Sequence, residues 1–281
     1  MHRLLCYMMA LASASLLSMS GTDPENFSHE MMRLSQAVAF DREEATYEED
    51  CAIDISEADR GVITVNCTSE EALQLLVKYE DKETCYAVPG DGTAFSVPLS
   101  NGNGHYKVSM LEHTKGIRYR YLQTVELDAC MPDEALPFLY ANAYVPWDRD
   151  TVCVAKAREL MEESNDRMDF IGKVKGWIRG RLSYDKQDMD EFLSEHDWDL
   201  DRTLAERKGI CIDYASMTCA MLRSQGVPAK LAFGYVYPDG GMERSYHAWV
   251  EVFVDGQWLL VDTCNTDESS AKSCYSPEQY F

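Results

Sequence analysis

Lys208-Gly209-Ile210-Cys211-Ile212-Asp213-Tyr214-Ala215 opens an almost wholly apolar run that continues to Ser224 and is closed by Gly226-Val227-Pro228. An apolar stretch of that length between such breakers predicts a buried helix with Cys211 in its first turn. Unpaired amides and the macrodipole at a helix start favour negative charge, so a thiol placed there is a better nucleophile. Gly209 lets the backbone approach closely just before the helix. Taken alone, Cys211 is more simply a buried structural cysteine.

Downstream, residues 229–236, 246–254 and 257–263 read as strands. Asp255-Gly256 between two apolar runs is a strong two-residue hairpin signal. Such a turn sets Val254 opposite Gln257, and therefore Trp249 opposite Asp262. His247 lies two residues from Trp249 and shares its face, so His247 and Asp262 become diagonal neighbours within reach. An odd-length turn would send Asp262 to the other face. A core role for His247 and a strand-end role for Asp262 are each the simpler reading in isolation. Cysteine, histidine and aspartate in this order, with the last two aligned by a register, are the parts of a thiol nucleophile site. If the third strand runs on through Thr263, Cys264 faces the same side as His247.

Upstream, helices are expected from Asp150-Thr151 to about Glu163, over 166–181, and over 199–207 with Lys208-Gly209 closing the last. Residues 132–147 read as a connector, with prolines at 132, 137 and 146. Before it the texture is β-rich, in short runs at 61–65, 73–79, 85–88, 95–99, 105–111 and 117–127. Pro89-Gly90-Asp91-Gly92 and Asn101-Gly102-Asn103-Gly104 separate some of these runs, which suggests a small antiparallel sandwich. Residues 25–45 allow a helix, and the acidic stretch 41–50 reads as a solvated linker.

The first residues read as an export signal: His2 and Arg3, an apolar stretch from Leu4 to Met19, then small residues at Ser18, Ser20 and Gly21. A buried first helix is the alternative. Ser20 stands where a lipoprotein would carry its lipidated cysteine, so a lipid anchor is not expected, nor stable membrane insertion after signal cleavage. The expected organisation is a signal peptide at 1–21, a helix and acidic linker at 22–50, a β-rich domain at 51–131 and a catalytic domain at 132–281. The 281 residues carry a net charge of −22, from 26 basic and 48 acidic side chains, which argues against nucleic-acid and anionic-membrane partners. There are ten cysteines. With Cys6 removed and Cys211 as nucleophile, an even number is left, which an oxidising compartment permits to pair. There is no cysteine or histidine cluster at zinc spacing and no EF-hand-like loop, so neither a metal nor another cofactor is expected.

Gly209-Ile210-Cys211-Ile212-Asp213-Tyr214-Ala215, Met221-Leu222-Arg223-Ser224-Gln225-Gly226-Val227-Pro228-Ala229, Gly234-Tyr235, Tyr246-His247-Ala248-Trp249-Val250-Glu251-Val252, then Trp258 and Asp262, together resemble the transglutaminase-like superfamily, most closely its exported bacterial members. The resemblance covers residues 138–281. It implies an α+β fold: a papain-like transglutaminase core, with the cysteine helix packed on an antiparallel sheet, preceded here by the small β-rich, sandwich-like domain. It also implies Cys211 as nucleophile, His247 as general acid/base and Asp262 as the group that orients His247. The family often continues its aspartate as Asp-Pro-Thr, whereas this chain has Asp262-Thr263-Cys264.

The implied chemistry is acyl transfer through a thioester, with a protein or peptide substrate, cell-wall peptides included. Three outcomes stay open: hydrolysis or deamidation of an amide, protein cross-linking by transamidation, and a non-catalytic cleft that binds peptide or cell-wall material. Oxyanion donors should include the Cys211 backbone amide. Trp177 and Tyr184 are the side-chain candidates, although each reads more simply as core.

Overall fold

The computed structural model describes residues 40–48, 50–185, 196, 198–237, 244–265 and 272–281. The expected signal segment, and the expected N-terminal helix up to residue 39, lie outside them. The chain forms two compact units, one ending at Asn142 and the other continuing from Ala143.

The first unit holds strands β1 (Thr46–Glu48), β2 (Cys51–Asp54), β3 (Val62–Thr68), β4 (Leu73–Tyr79), β5 (Lys82–Val88), β6 (Asp91–Pro98), β7 (Gly104–Lys115) and β8 (Arg118–Ala129). They form two four-stranded sheets, ordered β1-β2-β3-β6 and β5-β4-β7-β8, with every pairing antiparallel. Part of the expected linker is therefore the short, exposed edge strand β1. Residues 41–45 form a turn rather than the end of a helix, because the Asp41 carboxylate accepts the amides of Glu43 and Glu44. Ile117, expected inside a strand, sits at the tip of the β7–β8 hairpin and is 97% exposed. Gly116 beside it takes a φ of 62° that an isoleucine resists, and this fixes where the chain turns. Cys51 and Cys67, directly opposite on β2 and β3, form a disulfide. The connector packs with this unit up to Asn142: a 3-10 turn over Leu136–Leu139 is buried, and any side chain at Gly61 would collide with Pro137.

The second unit holds α1 (Val152–Glu162), α2 (Arg167–Arg181), β9 (Ser183–Tyr184), α3 (Leu200–Glu206), β10 (Lys208–Gly209), α4 (Cys211–Arg223), β11 (Ala229–Val236), β12 (Ser245–Val254), β13 (Gln257–Val261) and β14 (Tyr275–Tyr280). Acidic caps fix the helix starts. Asp166 accepts the Asp169 amide at 2.8 Å, and Asp199 accepts the amides of Asp201 and Arg202 at 3.0 Å each. Thr151 precedes α1 without capping it; Asp148 holds the Thr151 amide, and the Val152 amide goes to Asp201 at 2.9 Å. Arg207, at a left-handed φ of 57°, ends α3, so the closing residue is not the expected Gly209.

Every residue of α4 is buried. This helix packs against β11 and β12, and against α1 and α2. Arg223 at its end is fully buried and donates to the carbonyls of Ala229 and Phe281 at 2.8 and 2.6 Å. Those two bonds tie the helix to the start of β11 and to Phe281. The sheet order is β13-β12-β11-β14. Strand β14 was not foreseen: Tyr-Ser-Pro-Glu-Gln-Tyr lacks alternating apolar residues, and its Pro277 is tolerated because the strand lies at the sheet edge. Among the described residues, no helix is long and apolar enough to cross a membrane.

Candidate active site

The start of α4 is built by Asp213. Its Oδ2 accepts the Ile210 amide at 2.8 Å, and its Oδ1 lies 3.2 Å from His196 Nε2 and 3.4 Å from Thr203 Oγ1. A carboxylate that accepts an amide across the first turn stabilises the helix start and fixes the backbone on which Cys211 sits. Gly209 is required by space rather than by its dihedrals, since a Cβ there would lie 2.8 Å from the Asp213 Cβ. Immediately before the helix, Lys208 and Gly209 pair in parallel with Ser183 and Tyr184. The Asp185 amide donates to the Gly209 carbonyl at 2.9 Å, and the Tyr214 hydroxyl donates to the Leu182 carbonyl at 2.8 Å. These bonds carry Tyr184 to the cysteine.

The histidine arm follows from the hairpin. Asp255 and Gly256 both have positive φ, 50° and 79°, as a tight turn matched to strand twist requires. Val254 pairs with Gln257, and the register holds to Val250 opposite Val261. Asp262 lies one residue beyond that last pair, so the strand ends short of the expected Thr263. His247 Nε2 and Asp262 Oδ2 are 2.8 Å apart. The chain turns at Asp262 because its Oδ1 accepts the amides of Cys264 and Asn265, at 3.0 and 2.9 Å. The Tyr275 hydroxyl donates to Oδ2 at 2.9 Å. Thr263 Oγ1 meets Thr218 Oγ1 at 2.8 Å, which fastens this turn to the cysteine helix.

All three expected site residues therefore come together. Cys211 and Asp262 are only 2% and 7% exposed. The His247 side chain is within hydrogen-bonding reach of both Asp262 and the Cys211 thiol. Since Nε2 faces Asp262, the nitrogen facing the thiol is Nδ1. Burial opposes charging of the imidazole, but its bonds to Asp262 and Cys211 prevail and raise its pKa to about 10. Burial likewise opposes ionisation of Asp262, yet the His247 bond, the backbone amides and Tyr275 hold its carboxyl below the usual range. The arrangement suits a charged imidazole beside a thiol, with an ionised carboxylate behind it.

The structure corrects two expectations. Tyr184 is not core: it is 48% exposed, and its hydroxyl reaches the Cys211 thiol. Cys264 does not continue the strand; it sits in the turn after Asp262, close enough to Cys211 for a charge on that sulfur to be felt at its own thiol. Trp177 is half-buried on α2. Sequence reasoning missed Tyr275, which has no motif around it; only its fixed position at the start of β14 brings it to the aspartate.

Residues 154–263 match the family model of the Transglutaminase-like superfamily, a span that contains Cys211, His247 and Asp262. The chain is 27% identical over 126 residues to an uncharacterised protein of Mycobacterium leprae, covering 43% of this chain and 42% of that one. It is 25% identical over 131 residues to the UPF0252 protein of Methanocaldococcus jannaschii, covering 44% of this chain and 36% of that one. The match thus spans about two fifths of the length of these curated relatives. Among solved structures, a candidate cysteine protease from Cytophaga hutchinsonii is similar with a TM-score of 0.44 at 16% identity, over 77% of this chain and 73% of that one. The periplasmic domain of TgpA from Pseudomonas aeruginosa is similar with a TM-score of 0.38 at 15% identity, over 78% of this chain and 95% of that one. Residues 154–263, within the cysteine-bearing α+β unit, form a transglutaminase-like domain.

Proposed function

We propose that this chain is an exported thiol enzyme that hydrolyses or deamidates peptide amides through Cys211, His247 and Asp262. One observation carries the reading: a single imidazole bonds a buried carboxylate through Nε2 and faces a helix-start thiol with its other nitrogen. The Cys211 thiolate attacks the amide carbonyl, and the carbonyl π electrons move to oxygen. The tetrahedral adduct collapses, the C–N bond breaks, and His247 Nδ1–H gives its proton to the departing ammonia or amine. Water then attacks the thioester, His247 takes a proton from it, and the carboxylic acid leaves as the thiol is restored. Asp262 holds the imidazole in the tautomer that presents Nδ1 to sulfur and stabilises its charge. Export is supported by the signal-like first residues and by the Cys51–Cys67 disulfide, which suits an oxidising compartment. Substrates in that compartment are protein and peptide amides, those of cell-wall peptides among them.

The test is ammonia release from glutamine-containing peptides and from cell-wall peptides, measured with and without an added primary amine. Release with incorporation of water is expected. Amine incorporation in preference to water would instead identify a cross-linking transferase. No release and no trapped acyl-enzyme from either peptide class would leave a binding cleft.

A further inference from the structure

The face of α4 that carries the thiol is flanked by two elements. Cys211, Tyr214 and Thr218 follow one another at helical spacing and share that face. Thr218 Oγ1 meets Thr263 Oγ1 and so fixes the turn that holds Cys264. The Tyr214 hydroxyl donates to the carbonyl of Leu182, the residue that caps the end of α2. Arg179 lies in the last turn of α2, one turn before Leu182, and is half-buried. Its charge is felt at the Tyr214 hydroxyl and at the Cys264 thiol, and Cys264 in turn feels Cys211. Both flanks of the thiol-bearing face therefore lead to the same guanidinium.

A basic residue in a last helical turn is ordinarily explained by the helix macrodipole. Arg181 fills that role here, exposed and stacked over the Trp177 ring at 5.5 Å. Arg179 is instead drawn partly out of water at the edge of the site, where a guanidinium is costly unless an anion meets it. The carboxylates of the site are committed elsewhere. Asp262 holds His247, Tyr275 and two amides, and Asp213 holds the Ile210 amide. Among the described residues no carboxylate forms an ion pair with Arg179, whereas Lys173 meets Asp169 and Lys208 meets Asp185. Helix α2 sets Arg167, Lys173, Lys175, Arg179 and Arg181 against Asp169 alone, in a chain whose net charge is −22. A positive element beside the nucleophile of so acidic a chain draws in anions.

We propose that Arg179 is a specificity-determining residue that binds a free carboxylate of the substrate, close to the amide that Cys211 attacks. The inference rests on Cys211 being the nucleophile. The substrates it favours are acidic peptides, those with an aspartyl, glutamyl or C-terminal carboxylate beside the reacting amide. The planar guanidinium fork matches a carboxylate through two parallel hydrogen bonds, so it orients the substrate as well as holding it. A neutral amide in the same place offers one acceptor oxygen instead of two, and no charge.

Iodoacetate and iodoacetamide test this on the full chain, with the modified residue located by mass spectrometry. Both alkylate sulfur by displacing iodide, and they differ only in a carboxylate against an amide next to the attacked carbon. His247 favours the anion alike in every variant, so a change in the ratio of the two rates reports Arg179. In Arg179→Gln the iodoacetate-to-iodoacetamide ratio at Cys211 is expected to fall roughly tenfold. Arg179→Lys keeps the charge and should retain most of the ratio. The ratio is independent of the folded fraction, so partial destabilisation of a variant does not obscure it. An unchanged ratio in Arg179→Gln would overturn the proposal. So would a parallel loss of both rates, which would make Arg179 a structural residue. Iodoacetamide that leaves Cys211 unmodified in wild-type protein would remove the underlying nucleophile instead, a failure distinct from an unchanged ratio.

Discussion

Replacing Asp262 by asparagine tests the histidine arm with little change of volume. In the native site the carboxylate accepts four hydrogen bonds: from His247 and Tyr275 at Oδ2, and from two backbone amides at Oδ1. An asparagine oxygen placed at Oδ1 keeps both amides, and its NH₂ can donate to the Tyr275 oxygen. The same NH₂ can satisfy His247 Nε2 only if that nitrogen is unprotonated. The proton is then forced onto Nδ1 of a neutral ring, where it faces the thiol and cannot act as a base. Losing a charge-assisted bond of about 1.5–3 kcal/mol lowers the imidazolium's stability by roughly 10–10²-fold. The inverted tautomer deepens the loss towards about 10⁴, the scale known for this substitution in a serine triad. Stability should fall by only about 1–2 kcal/mol, because the turn keeps its amide bonds. The assay is p-nitrophenyl acetate turnover from pH 5 to 10, alongside thermal unfolding. Turnover at the wild-type rate with an unaltered pH profile would refute the role given to Asp262. So would an activity loss that merely tracks unfolding.

Tyr275→Phe removes one donor to the same carboxylate; stability should drop by about 1 kcal/mol, and the pH profile should move only slightly, as read by melts and by turnover. Gly209→Ala sets a methyl 2.8 Å from the Asp213 side chain and should displace the helix start, costing about 1–3 kcal/mol and slowing Cys211 alkylation. The raised His247 pKa predicts a stability term fully present below 6.5 and lost as pH rises through about 10. The lowered Asp262 pKa predicts a term present above 3.8 and lost as pH falls through its depressed value, and melts across pH in a His247→Gln variant should lose the alkaline slope and keep a weakened acidic one, since the backbone amides and Tyr275 still hold the carboxylate. Burial pushes the thiols of Cys153, Cys219 and Cys264 up to about 12, so peptide mapping after brief alkylation at neutral pH should find them unmodified.

What the sequence made legible was governed by local rules. Asp255-Gly256 dictated a two-residue turn, and strand periodicity carried that register to His247 and Asp262. Apolar length and flanking breakers marked α4, and apolar residues at helical spacing marked α2. The remaining features depend on partners distant in the chain. Strand β14 has no apolar alternation of its own and exists because β11 offers it an edge, with a bulge where Gly234 meets Pro277. Tyr275 reaches Asp262 only through that strand. Asp262 ends β13 because two amides beyond it turn back onto its carboxylate, a local competition that residue types alone left undecided. Tyr184 looked like a core tyrosine because aromatic residues near a helix end usually are. Its exposure follows from the short parallel pairing with Gly209, for which two residues give no periodic signal.

The central claim is that Cys211 is a nucleophile made reactive by His247. The direct measurement is the second-order rate constant for iodoacetamide at neutral pH, with the modified residue located by mass spectrometry, in wild-type protein and in His247→Ala. The account predicts selective, rapid alkylation of Cys211 in the wild type, and a fall of at least about tenfold without the imidazole. Alkylation of Cys211 no faster than an ordinary thiol, or an identical rate in the two proteins, would contradict it.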